Sequence, residues 1–347
     1  MKIVIAGGGT GGHLYPGIAI AEKLKDKGIE LLFMVSNRGI EKRILTPLGY
    51  KFIEQEETPL KGVSFGRRIK SVGKIIENIK IAMNNVEKSD KVLLLGGFAS
   101  FSAGIAGMMK SAEIYIHEQN SVMGLSNRFF AKRAKKVFTS FEKTLRAPEN
   151  SIVVGNPVRS VFALSKSKIS PEKNILVVGG SQGSRFLNNL IISAAEELIS
   201  NGFDIMHQTG ERLYDEVIEA YKNSGIDTNR LNIVRYIDDI ASAYNWADLV
   251  LSRAGSGSVF EIIYSRRFGI FVPFPDATDN HQYYNALFAK AKGVGVVIEE
   301  KDAKKEVFIK AVNDYYENFD KYRENIEKIT YVDSAELILR EMEMEYV

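Results

Sequence analysis

Two stretches of the chain open alike: KIVIAGGGTGGHLYPGIAIAEKL at 2–24 and NILVVGGSQGSRFLNNLIISAAEEL at 174–198. Each begins with a β-branched apolar run, passes through a glycine loop and continues with apolar residues at helical spacing, so each reads as strand, loop and amphipathic helix. Five glycines stand between Ala6 and Pro16, and so many lose chain entropy unless the backbone turns tightly or approaches something closely. A loop that leaves a strand and enters a helix presents N–H groups at the positive end of the helix dipole, where phosphate is attracted. Pro16 is expected near the start of its helix, where a missing N–H matters little.

Working outward, short β-rich runs alternate with helical patterns along the whole chain, the signature of parallel sheets with crossover helices. In the first half the strands read as Lys2–Ala6, Leu31–Val35, Lys91–Leu95, Ile114–His117, Lys136–Thr139 and Ile152–Val154. The second half restarts the scheme with Asn174–Val178, Asp204–His207, Asn232–Arg235, Asp248–Leu251, Ile270–Val272 and Gly295–Ile298. The fold class is therefore α/β, with two doubly wound parallel-sheet domains facing each other. VVGNPVRSVFALSKSKISPEKN between them has the proline and Ser/Lys content of a linker. The boundary falls near Arg159, giving domains 1–158 and 159–333, and the helical terminal stretch 334–347 is expected to pack back on the first.

A length of 347 residues suits two domains of ordinary size. Apolar residues at 45% and charged residues at 26% fit a soluble globular protein, and a formal charge of +3 is too mild to imply nucleic acid. The absence of cysteine excludes disulfides, thiolate metal sites and a cysteine nucleophile, and fits a reducing cytoplasm. The apolar run at the N-terminus is too short for an export signal. Residues 92–109 carry no charge and approach the length of a membrane span, but Gly96-Gly97 divides them, so strand, glycine turn and closely packed helix is the reading.

Gly7, Gly9 and Gly12 formally satisfy G-x-G-x-x-G, which raises a nicotinamide or flavin dinucleotide site. The second strand, however, ends Val35-Ser36-Asn37-Arg38, without the carboxylate that would hold a ribose hydroxyl; NADP stays open on this pattern. The loop Gly179–Ser184 fits neither that fingerprint nor a P-loop, since no Lys-Ser/Thr pair follows. A third loop, RAGSGSVFE at 253–261, again joins strand to helix, and Glu261 lies on the first turns, where its carboxylate can accept from two adjacent sugar hydroxyls. PFPDATDNHQ at 273–282 follows another strand. Loops at the carboxyl ends of parallel strands are where such sheets bind ligands.

Taken together, GGGTGGHLYP, GGF at 96–98, HEQN at 117–120, GNPVR at 155–159, GGSQGS, RAGSGSVFE and DNHQYYNA at 279–286 resemble the MurG family of glycosyltransferases over nearly the whole chain. The resemblance implies a GT-B fold of two Rossmann-like domains, with donor nucleotide on the C-terminal one and acceptor lipid on the N-terminal one. It implies transfer of N-acetylglucosamine from UDP-GlcNAc to an undecaprenyl-pyrophosphoryl-muramyl-pentapeptide. By the same resemblance Thr10, Gly11 and Gly12 lie at the sugar and phosphate side, and Asn120 at the sugar. Arg159 and Ser181 meet the donor nucleotide, Ile237 reads uracil through its backbone, Glu261 binds ribose and Gln282 reads the donor sugar. Ser184, Ser256 and Ser258 stand where the family more often has Ala, Ala and Thr.

The implied reaction displaces UDP from the anomeric carbon by a sugar hydroxyl, so a proton must leave that hydroxyl and charge must be stabilised on the diphosphate. Helix N-termini meet the second need. The chain has no Asp-x-Asp pair, so no metal and no cofactor are expected. For the first need His13 leads, because an imidazole titrates near neutrality, and Glu118 is second, with an orienting role in its turn as the alternative. His117 and His207, at strand ends, read as structural, and His281 as shaping the sugar pocket.

Phe65, Ile69, Val72, Ile76, Ile79 and Met83 recur at helical spacing, with Ile75 widening the stripe, among Lys61, Arg67, Arg68, Lys70, Lys74 and Lys80 against the single acid Glu77. A basic, apolar helix suits an anionic membrane surface, so peripheral attachment at the cytoplasmic face is expected here. Two other classes compete: a nicotinamide-dependent oxidoreductase and a non-catalytic lipid-binding module.

Overall fold

The computed structural model describes residues 2–9, 11–25, 27–37, 39–57, 65–163, 171–180, 182–226 and 228–344, with backbone alone at 40, 65–70 and 163. The chain divides into two compact units, residues 1–159 with 332–347 and residues 160–331. The division thus falls one residue beyond the boundary read from the sequence, leaving Arg159 with the first unit, and the return to that unit begins at Val332.

In the first unit the order is β1 (Lys2–Gly7), α1 (Gly11–Lys23), β2 (Glu30–Ser36), α2 (Ile40–Leu45), β3 (Lys51–Gln55), α3 (Phe65–Asn85), β4 (Lys91–Gly96), α4 (Gly97–Lys110), β5 (Glu113–Glu118), α5 (Leu125–Phe130), β6 (Lys136–Thr139) and β7 (Ile152–Val153). The second unit runs α6 (Ser160–Ala163), β8 (Asn174–Val178), α7 (Arg185–Ser200), β9 (Asp204–Gln208), α8 (Tyr214–Asn223), β10 (Leu231–Val234), α9 (Ile240–Trp246), β11 (Leu249–Ser252), α10 (Ser256–Tyr264), β12 (Phe268–Phe271), α11 (His281–Ala291), β13 (Gly295–Val297), α12 (Lys305–Glu317) and α13 (Phe319–Glu327). Helix α14 (Ser334–Glu341) then rejoins the first unit.

Among the described residues the two sheets are parallel throughout, in the orders β3-β2-β1-β4-β5-β6-β7 and β10-β9-β8-β11-β12-β13. In each, the first strand of the unit sits inside the sheet and the chain winds away from it in both directions. The order therefore reverses between β1 and β4, and between β8 and β11. Crevices at such reversals, outside the carboxyl ends of the strands, are where doubly wound sheets take ligands.

Alternation along the strands builds a core on both faces of the first sheet. Ile3, Ile5, Leu93 and Leu95 point to one face, with Leu14 and Ile18 of α1. Val4, Ala6, Val92 and Leu94 point to the other, with Ala103 and Ala106 of α4. Ala335, Ile338 and Leu339 of α14 complete the first cluster, and Lys23 of α1 pairs with Asp333 at 2.5 Å. The uncharged run after Lys91 is strand β4 followed by helix α4, and among the described residues no helix is long and apolar enough to cross a membrane.

Two local expectations change. Strand β3 went unread because KFIEQ is mostly polar; it is the edge strand, paired to β2 from Leu32↔Lys51 to Ser36↔Gln55, where charge facing solvent is tolerated. Helix α1 starts at Gly11, so Pro16 lies inside it, in its second turn, where the carbonyl of Gly12 loses its intrahelical donor. Pro16 is buried there.

Candidate active site

In the first unit the loop after β1 lies at the sheet's reversal point, and His13 stands half-buried in the first turn of α1. The turn from β4 into α4 closes against it. Gly96 and Gly97 have φ of 95° and 80°; a Cβ on Gly96 would come within 3.2 Å of His13 Cε1, and one on Gly97 within 2.6 Å of the Gly8 carbonyl. The GGF motif is thus a place where side chains do not fit against the histidine loop.

Beneath that loop lies a residue the sequence reading missed. Glu41 of α2 is fully buried, and its Oε1 accepts from the Gly9 N–H at 2.6 Å and the Ser36 hydroxyl at 2.7 Å, while Oε2 is buried without a hydrogen-bond partner among the described residues. A dinucleotide loop of this type gives its N–H groups to a pyrophosphate. Here the Gly9 N–H is occupied by a carboxylate, which would repel one. An acidic residue four places beyond Asn37 was the available signal, hidden because it falls after the strand rather than at its end.

The HEQN turn follows β5, and its four residues take different parts. Glu118 is buried and accepts from the Asn120 N–H at 3.0 Å, the Asn120 side-chain amide at 3.3 Å, the Gly124 N–H at 3.0 Å and the Asn127 amide at 2.9 Å. A carboxylate with its oxygens occupied by four donors orients its loop, and this geometry favours that role over proton removal. Asn120 is half-buried and held by it. His117 is fully buried, hydrogen-bonded to the Gly155 carbonyl at 3.1 Å, and burial lowers its pKa from 6.5 to about 4. Gln119 bridges His117 and His13.

Gly11 and Gly12 open α1, with Gly12 exposed. Arg159 is half-buried, its guanidinium 5.1 Å from the Tyr15 ring of α1. Thr10 lies outside the described residues, as does Ser181 in the second unit.

In that second unit, Arg253 joins three of the loops at the carboxyl edge of the sheet. From the end of β11 it donates through Nε to the Ser184 hydroxyl at 3.1 Å, and through Nη1 to the carbonyls of Val272 at 3.2 Å and Pro273 at 3.3 Å. Glu300 pairs with it at 2.6 Å, and the rings of Phe186 and Phe274 lie 5.6 and 5.5 Å away. The RAGSGS motif was read for its glycines, and the arginine that opens it was given no role. Ser184 also caps α7, accepting from the Leu187 N–H at 3.4 Å. Behind this loop Gly183 has φ of 77°, and a Cβ there would meet the Thr209 carbonyl at 2.2 Å.

Glu261 lies on α10, half-buried, and accepts from the Tyr244 hydroxyl at 3.4 Å. Ile237 is half-buried in the loop that Asp239 ends by capping α9. Gln282, in the first turn of α11, accepts the Phe274 N–H at 3.0 Å through Oε1. Asp279 and Asn280 hold φ of 53° and 54° just before α11, a left-handed geometry that Asp and Asn adopt more readily than other side chains. His281 donates through Nδ1 to the Thr278 carbonyl at 2.8 Å. His207 is fully buried between Asn188 and Tyr221, at 3.0 and 3.1 Å, and burial lowers its pKa to about 3.

Comparison with known proteins gives this arrangement its family. Residues 3–139 match the glycosyltransferase family 28 N-terminal domain and residues 174–340 the family 28 C-terminal domain. A UDP-N-acetylglucosamine--N-acetylmuramyl-(pentapeptide) pyrophosphoryl-undecaprenol N-acetylglucosamine transferase from Geobacter metallireducens is 34% identical, covering 99% of this chain and 98% of its own. The chain belongs to glycosyltransferase family 28. A relative of the same name from Psychromonas ingrahamii is 36% identical over 91% of this chain and 89% of its own. The family 28 architecture recurs in the crystal structure of MurG from Acinetobacter baumannii, with a TM-score of 0.75 at 24% identity, covering 99% of this chain and 98% of that one. The two units are accordingly the Rossmann-like domains of a GT-B fold. Membership of family 28 makes the protein a glycosyltransferase of the MurG group rather than an oxidoreductase or a non-catalytic lipid-binding module.

Proposed function

We propose that this glycosyltransferase moves N-acetylglucosamine from UDP-GlcNAc to the 4-hydroxyl of the muramyl sugar of undecaprenyl-pyrophosphoryl-muramyl-pentapeptide, with inversion. The observation that carries the reading is the near-complete match to relatives bearing that activity in their names, at 34% identity over 99% of the chain. In chemical terms the muramyl oxygen bonds to the anomeric carbon as the bond from that carbon to UDP breaks, and the electron pair leaves on the diphosphate. His13 takes the hydroxyl proton. The second unit holds the donor: the N-termini of α7 and α10 face the diphosphate, Glu261 the ribose, the Ile237 backbone the uracil and the Gln282 amide the sugar. Arg159 and Ser181 complete the nucleotide contacts. Gly11, Gly12, Thr10 and Asn120 serve the acceptor and the transferred sugar.

The test is UDP release from UDP-GlcNAc with the lipid acceptor. His13→Ala is expected to lower kcat by about 10²–10⁴, the usual contribution of a positioned base. Glu261→Ala is expected to raise the KM for UDP-GlcNAc while kcat changes less. Wild-type kinetics in both would reject these roles.

The acceptor's lipid also calls for a membrane face, and the first unit supports one. Helix α3 buries Ser71, Asn78 and Ala82 and packs Met83 against the core, while Val72 and Ile76 of its apolar stripe are each 50% exposed. Ile75, Ile79 and Met83 are half-buried and Lys80 is exposed, while Lys74 pairs with Glu56. The side chains of Phe65, Arg67, Arg68, Ile69 and Lys70, and all of Lys61, lie outside the described residues. Helix α4 packs against both α3 and α5, and α5 presents Leu125, 71% exposed, and Phe129, 52% exposed, next to exposed Lys132 and Arg133. Apolar anchors ringed by cations fit an anionic bilayer at the cytoplasmic face. Sedimentation with vesicles containing anionic lipid is expected to pull down the wild type and to lose most of a Val72→Ser, Ile76→Ser, Phe129→Ser variant; equal binding would remove this face.

A further inference from the structure

The chain of hydrogen bonds behind His13 has a direction, set at its far end. The Gly155 carbonyl can only accept, so His117 must carry its proton on Nε2, 3.1 Å away. The Ser140 hydroxyl, 3.3 Å from the same nitrogen, is itself a donor to Asn156 Oδ1 at 3.3 Å and so receives from His117 as well. His117 Nδ1 is then a bare acceptor, and full burial keeps the ring from taking a second proton.

Gln119 reads that state and passes it on. Its amide nitrogen donates to His117 Nδ1 at 3.3 Å and to the His117 carbonyl at 3.1 Å, which uses both of its hydrogens and fixes which end of the amide is which. The remaining end, Oε1, faces His13 Nδ1 at 3.2 Å. A carbonyl oxygen can only accept, so His13 must donate there. Of the two ring nitrogens, the one left without hydrogen is set by the bond the other makes.

We propose that Gln119 is a positioning residue that holds His13 as its Nδ1–H tautomer, leaving Nε2 as the nitrogen that accepts the substrate's proton. Gln119 is fully buried and touches His13, so its effect is exerted through that ring. The catalytic part of this inference rests on His13 being the base, and the tautomer itself does not. A merely structural glutamine would hold the HEQN turn and leave the ring's protonation pattern alone.

The experiment reads the tautomer directly, by long-range proton–nitrogen correlation of ¹⁵N-histidine-labelled protein at a pH where His13 is neutral, with His13→Gln used to assign its signals. The wild type is expected to show protonated Nδ1 and bare Nε2. Gln119→Leu should shift the ring toward Nε2–H and lower kcat on the order of 10- to 100-fold, part of the 10²–10⁴ a general base supplies, with KM for UDP-GlcNAc unchanged. Gln119→Glu keeps an acceptor oxygen on His13 and should retain the Nδ1–H pattern, but it sets its second oxygen against the His117 Nδ1 and carbonyl, both acceptors, so its kcat is expected to stay low. A wild-type ring protonated on Nε2, or a Gln119→Leu protein with unaltered ring signals, overturns the proposal. Unaltered kcat in Gln119→Leu with a shifted ring overturns its catalytic part. Should His13→Ala keep full turnover, the base reading falls, while the ring signals still decide the tautomer.

Discussion

The two glycine loops that open the units begin with similar sequences and occupy equivalent places, each at the reversal point of its own sheet, yet they rest on opposite chemistry. The loop of the first unit is held from below by a buried carboxylate, Glu41, with no cation among its hydrogen-bond partners within the described residues. The loop of the second is held by a guanidinium, Arg253, which reaches Ser184 and is balanced by Glu300. A site that takes a nucleoside diphosphate is served by N–H groups without net negative charge beneath them, and the guanidinium under the second loop, against the carboxylate under the first, supports the donor placement proposed above. Shared backbone geometry therefore does not imply a shared ligand; what lies one layer under the loop decides it.

The comparison breaks most readily at Arg253. Arg253→Met removes the donor to the Ser184 loop and to the Val272 and Pro273 carbonyls and takes the cation from partly buried Glu300, so we expect a loss of about 3 kcal/mol from charge-assisted hydrogen bonds lost and acceptors left unpaired. Urea unfolding measures it, and calorimetric titration with UDP should show affinity falling alongside. An unchanged urea midpoint would mean the guanidinium does not hold the loops.

Acidification tests a feature the two units share. His117 and His207 are buried neutral, with pKa about 4 and about 3 against 6.5 unfolded. Above pH 6.5 their neutral burial is fully compatible with the fold; as pH falls below it the unfolded chain takes protons first and stability declines until the folded pKa is reached. Each histidine contributes on the order of 3 kcal/mol to this decline between about pH 7 and pH 4. His117→Gln and His207→Gln should each flatten the pH dependence of the urea midpoint. A wild type equally stable at both ends would contradict the buried neutral state.

The mildest test is Glu41→Gln, which keeps an oxygen for Gly9 and Ser36 and removes only the charge. Exchanging charge-assisted for neutral hydrogen bonds should reduce stability by about 1 kcal/mol. UDP affinity should stay at the wild-type value if the nucleotide is held, as proposed above, by the other unit. A fall in UDP affinity comparable to that of Arg253→Met would erase the distinction between the loops.

Much of this was legible in the chain itself because parallel sheets buried on both faces write long apolar runs. Strands such as Lys91–Leu95 and Asn174–Val178 lie within a residue of where the pattern puts them. Edge strand β3 escaped because an edge is relieved of the need to be apolar, and Pro16 was misplaced because its tight, buried position in α1 is a tertiary feature. At the site, motifs marked the loops but not the parts their residues play. Glu118 and Gln119 are neighbours of similar size, and only the partners that folding supplies make one the organiser of its turn and the other a bridge between two imidazoles. Arg253 and Glu41 act through groups distant in sequence, Ser184 and Gly9 among them, which no local pattern records.

The return of α14 to the first unit has a bearing on how the polypeptide is made. Ala335, Ile338, Leu339 and Met342 belong to the same interior cluster as Ile3 and Ile5, so that interior is assembled from both extremes of the chain. During synthesis residues 160–331 leave the ribosome before α14 does, and the later-numbered unit can therefore finish folding while the earlier one still waits for its last helix.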